Sequence, residues 1–118
     1  MPEKMARERF ARLVWARVEP AKLNELRKTY RMVVIPRERR QRGVRRIYLI
    51  QSTDTPHEVV SVSFWDSQRD AEAYEKSATH RQNVEKVGHL LSDVSSKSYR
   101  VLEHAVGPMP KKVGKKPV

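Results

Sequence analysis

Residues 58–91 read EVVSVSFWDSQRDAEAYEKSATHRQNVEKVGHLL, and the order of patterns inside this stretch decides the fold. Val60, Val62 and Phe64 alternate on one face of an extended segment, while Val59, Ser61, Ser63 and Trp65 alternate on the other. At Asp66-Ser67 the period changes. Either side chain can accept from the free amides of a first helical turn, so the strand is predicted to run into a capped helix. That helix turns Ala71, Tyr74 and Ala78 inward. It weakens at Ser77 to Thr79 and continues with Val84, Val87 and Leu91 on a common face.

Upstream, Arg9 to Glu19 reads as a strand with Leu13 and Trp15 on one face and Val14, Ala16 and Val18 on the other. Pro20 suits a first helical turn, and Leu23, Leu26, Tyr30 and Val33 then recur at helical spacing. Pro36 disfavours helix at Ile35, so a stop or kink is expected there. Gly43 ends the next stretch, Val44 to Ser52 is a second strand, and Thr53 to His57 has the length and chemistry of a hairpin loop. Downstream, Ser98 to Val106 is expected to be the last strand.

The resulting order β-α-β-β-α-β is the ferredoxin-like arrangement of the α+β class: a four-stranded antiparallel sheet with two helices on one face. Leu13, Trp15, Val60, Val62 and Phe64 would then form an apolar patch on the uncovered face. Pairing two sheets face to face would bury it, so a homodimer is expected.

Composition bounds the function. The chain has 118 residues and no cysteine, which excludes disulfides, thiol catalysis and thiolate metal sites. One domain is expected over residues 9–106, with a flexible N-terminal arm at 1–8 and a basic flexible tail at 107–118. No stretch resembles a signal or membrane span, so a cytoplasmic protein without membrane contact is expected. The net charge is +11, of which Arg37 to Arg46, with six Arg and one Glu, supplies +5. Arg37, Arg39, Arg40, Arg42, Arg45 and Arg46 are therefore candidates, with the Lys tail, for electrostatic contact with nucleic acid or another polyanion. Strand three lacks the basic, glycine-containing aromatic motif that RNA-recognition domains display on the same topology. No catalytic triad, paired carboxylates, phosphate loop or metal-ligand spacing is present.

The opening strand with Trp15 and Val18-Glu19-Pro20-Ala21 resembles the antibiotic biosynthesis monooxygenase family of dimeric α+β barrels. So do the Gly43 strand start, Ser63-Phe64-Trp65-Asp66-Ser67, and the spaced Ala71, Tyr74 and Ser77. The resemblance implies two chemistries. Haem-degrading members use an Asn on strand one, a Trp ending strand three and a His on the later helix. Trp65 matches, but the other two positions fall on or near Val14 and Val84, with His80 one turn earlier, so no cofactor is expected. The second chemistry is cofactor-free oxygenation of a small aromatic or quinol-like compound. It implies a pocket bordered by Val14 and Val84, with Trp65 and Tyr74 as walls and His80 as base. Tyr30 or Tyr48 would donate hydrogen bonds there, and Ser77 would be a minor contact. A non-catalytic small-ligand-binding protein on the same scaffold is the alternative.

Overall fold

The computed structural model describes residues 8–108, so most of the expected arm and the Lys tail lie outside the described residues. Four strands, β1 (Phe10–Val18), β2 (Val44–Gln51), β3 (Glu58–Trp65) and β4 (Leu91–Arg100), form an antiparallel sheet in the order β2-β3-β1-β4. The helices α1 (Leu23–Thr29), α2 (Ile35–Glu38), α3 (Gln68–Glu75) and α4 (Ala78–Val87) pack on one face. The fold is the expected ferredoxin-like α+β domain. No helix among the described residues is long and apolar enough to cross a membrane.

The central pair β1 and β3 sets the geometry. Their register places Phe10, Arg12, Val14 and Ala16 opposite Trp65, Ser63, Ser61 and Val59, on the helix-covered face. Each strand is apolar at its ends and polar or smaller in the middle of that face. The core accordingly splits in two. Ala16, Val18, Leu26, Val34, Val59, Val87 and Leu90 pack at one end, and Phe10, Trp65, Ala71 and Tyr74 at the other. Between them lies a gap.

The caps follow the sequence. Ser67 accepts from the Asp70 amide to open α3, and Ser77 accepts from the His80 amide to open α4. Gly43 adopts φ +84°, a conformation open to glycine at little cost, and a Cβ there would lie 2.2 Å from Asp70 Oδ2.

Three expectations are corrected. First, Pro36 does not end the helix. Instead the helix widens into a π-turn over Tyr30–Val34, with Ile35 N donating to Tyr30 O, and then continues as α2. Widening the turn just before Pro36 relieves the clash of its ring with the carbonyl four residues back. Second, the last strand is Leu91–Arg100, not Ser98 to Val106, and no regular structure follows it among the described residues. As an exposed edge strand, LSDVSSKSYR has no buried face to impose an alternating pattern. Third, Leu91 belongs to that strand rather than to the preceding helix, which ends at Val87 and a single 3-10 turn.

Candidate functional site

The gap between the two apolar clusters is a cavity of about 110 Å³. Its floor is the middle of the sheet, with Arg12, Val14 and Ser61, and its walls are helical. Tyr30, Val34 and Glu38 come from the widened helix, Tyr74 from α3, and His80, Asn83, Val84 and Val87 from α4. The exposed Val84 and Val94 stand at its mouth. The π-turn matters here. In a regular 3.6-residue helix, positions 30, 34 and 38 would drift around the axis, and the extra residue in the wide turn offsets that drift so that all three face the gap.

The cavity is apolar over most of its wall and holds a compact set of polar groups. Arg12 is 8 % exposed, and its Nε donates to Glu75 Oε2. Glu38 is 4 % exposed, and burial raises its carboxyl to about 7 despite the opposing influence of Arg12 and Ser63. Burial also raises the hydroxyls of Tyr30 and Tyr74, so both stay protonated as donors at neutral pH. It lowers His80, helped by the Arg12 charge and opposed by Glu75, so that imidazole is neutral at pH 7. The His80 ring meets the Tyr74 ring edge-on at 5.0 Å. Asn83, 3 % exposed, donates through Nδ2 to Tyr74 Oη at 2.9 Å, and its Oδ1 has no partner.

Of the residues singled out from the sequence, the structure brings Val14, Tyr30, Tyr74, His80 and Val84 together around this cavity. Trp65 does not line it. With 0 % exposure, it stacks on Tyr74 at 5.6 Å and donates to Ser63 Oγ at 2.9 Å, so it supports the wall from behind. Ser77 caps α4 and donates to Tyr74 O at 2.6 Å, outside the lining. Tyr48 is corrected outright. It pairs with Val62 and faces the opposite side of the sheet, because a bulge between Val44 and Arg46 sets the register of β2.

Arg12, Glu38, Ser61 and Asn83 were not among the expected site residues. Charged side chains default to a solvated reading, which hid Arg12 and Glu38. The available signal was the pair Ser61 and Ser63 on the covered face of an otherwise apolar strand.

On the uncovered face, Leu13, Trp15, Val60, Val62 and Phe64 lie side by side and half-buried, with the exposed Tyr48, Ile50 and Tyr99 around them. The Arg-rich segment is partly neutralised. Arg45 makes a two-pronged contact with Asp66 at 2.6 and 3.1 Å, Arg46 pairs with Glu8, and Arg42 lies 3.9 Å from Asp70. Arg39 and Arg40 are exposed and Arg37 half-buried.

The residues present do not fit a haem. Val14 and Val84 bring no lone pair, and about 110 Å³ is far below the volume of a macrocycle. Among the described residues no group of three His, Asp or Glu is placed to hold a metal ion.

A family model described as antibiotic biosynthesis monooxygenase matches residues 9–86. No curated protein gives a significant match. Several solved structures share the fold. A Nitrosomonas europaea protein described as a candidate antibiotic biosynthesis monooxygenase aligns with TM-score 0.69 and 22% identity, over 80% of this chain and 91% of that one. The protein Rv0793 of Mycobacterium tuberculosis aligns with TM-score 0.67 and 22% identity, over 82% and 98%. A Bordetella bronchiseptica protein described like the first reaches TM-score 0.71 at 16% identity, over 80% and 97%.

Proposed function

Starting from the finding that this chain belongs to the antibiotic biosynthesis monooxygenase family, we propose that the cavity is a monooxygenase-type site for a single-ring aromatic compound such as a quinol. The observation that carries this reading is the ring-sized gap in the core, with a buried guanidinium, a neutral imidazole and an unpartnered amide oxygen among its lining groups. An apolar cavity of about 150 Å³ takes one benzene ring. A gap of about 110 Å³, open at Val84 and Val94, suits one ring and no fused system.

The chemistry needs no electron source beyond the substrate. A hydroquinone and O2 together supply the atoms and electrons of a hydroxyquinone and one water. Loss of a phenolic proton makes the ring electron-rich enough to react, and neutral His80 is placed to accept that proton. Arg12 favours the resulting oxyanion, because an opposite charge in a dry site acts at low effective dielectric. Tyr30 and Tyr74 offer further donors, and the apolar wall excludes water that would compete for the anion.

The uncovered sheet face belongs to the same proposal. A second copy laid against Leu13, Trp15, Val60, Val62 and Phe64 would remove that apolar patch from water and stiffen the sheet that floors the cavity.

Oxygen uptake with a panel of single-ring hydroquinones tests the activity. Uptake above the buffer blank, reduced at least tenfold in Arg12→Met and His80→Phe, is expected. Saturable binding without uptake would reject catalysis in favour of a ligand-binding role.

A further inference from the structure

Asn83 Oδ1 is a buried acceptor on the cavity wall with no partner, since the Asn83 amide nitrogen is already committed to Tyr74. A stripped buried acceptor costs about 1–3 kcal/mol, and a ligand that fills the cavity displaces any water that could serve it. The other polar lining groups make weaker demands. Arg12 is paired with Glu75, and hydroxyls such as Ser61 can rotate to donate or accept. A carboxamide oxygen can only accept.

We propose that Asn83 is the specificity-determining residue of the cavity and admits rings that carry a hydroxyl donor opposite its Oδ1. This rests on the cavity being the ligand site and not on turnover. It makes the ligand class one of phenolic compounds bound through an O–H to Asn83, with any second ring oxygen left for Arg12. A ring of equal size without a donor leaves Oδ1 bare and is rejected, as at other sites built to bond a hydroxyl.

Fluorine NMR titration of the full chain with 4-fluorophenol and 1,4-difluorobenzene tests this, because the pair differs by one OH→F exchange at nearly constant size. The phenol is expected to bind at least about tenfold more tightly, the equivalent of about 1.4 kcal/mol. Greasiness alone favours the difluoro compound, so the preference cannot come from burial of apolar surface. Asn83→Leu should bring the two affinities within about threefold. Asn83→Asp, which keeps an acceptor, should retain the preference, and so should Glu38→Gln. Equal affinities in the native protein, a preference that survives in Asn83→Leu, or no binding of either ring would overturn the proposal. A native protein that discriminates between the rings but consumes no oxygen with hydroquinones would leave this inference standing and reject catalysis alone.

Discussion

Asn83 Nδ2 donates to Tyr74 Oη across 2.9 Å, and this one bond ties α4 to α3 at the wall of the cavity. Tyr74 also stacks on Trp65 and meets His80 edge-on, so it links the aromatic half of the core to the polar lining. Tyr74→Phe keeps the ring and removes the acceptor, leaving the Asn83 amide with two unpaired ends. The expected loss is about 1–3 kcal/mol, read as a drop in the thermal midpoint of about 4–8 °C per kcal/mol for a domain of this size. An unchanged midpoint would show that the amide finds another partner at no cost.

Glu38 should make stability depend on pH in a defined window. Its folded value is raised to about 7 from 4.5, so between those values the folded chain holds a proton that the unfolded chain releases. Stability therefore falls as pH rises through that window, by up to about 3 kcal/mol for this group alone. His80 acts in the opposite sense. Its lowered value means that the unfolded chain binds the extra proton below its ordinary value of 6.5, so its contribution rises with pH. The difference between native protein and Glu38→Gln separates the two. The variant should be more stable at pH 8 and nearly equal to the native protein at pH 4.5, measured by urea denaturation.

Gly43 carries a steric requirement. Gly43→Ala would place a methyl against Asp70, the residue whose amide is capped by Ser67, at a φ that non-glycine residues rarely adopt. A loss of more than about 1 kcal/mol is expected, with a lower denaturant midpoint and an unchanged slope.

The uncovered sheet face sets the association state. Val62→Glu should hold the chain monomeric in light scattering at concentrations where the native protein is dimeric, since a charge in the middle of an apolar contact must be desolvated. A native protein that scatters as a single chain would reject pairing through this face.

Much of the fold could be read from periodicity, and the reasons for the exceptions are physical. Ser67 and Ser77 each precede a helical pattern, and both cap as their chemistry suggests. The β2–β3 hairpin also follows from its turn residues. The edge strand β4 was missed because exposure on both faces leaves no alternation to read, and the neighbouring apolar residues 101–106 drew the assignment instead. The widened helix was missed because Pro36 usually breaks a helix. Here a π-turn accommodates it, and that accommodation helps bring Glu38 inside. Tyr48 was put on the wrong face because a single bulge reverses everything beyond it.

Valine methyl NMR tests most directly whether the ligand sits between helices and sheet, because valines line both sides of the sheet. Val14, Val84 and Val87 border the cavity, while Val60 and Val62 lie on the uncovered face. Titration with hydroquinone under anaerobic conditions should move the first three resonances saturably and together, leaving Val60 and Val62 in place. Shifts confined to Val60 and Val62, or no saturable shift in any of the five, would contradict the account.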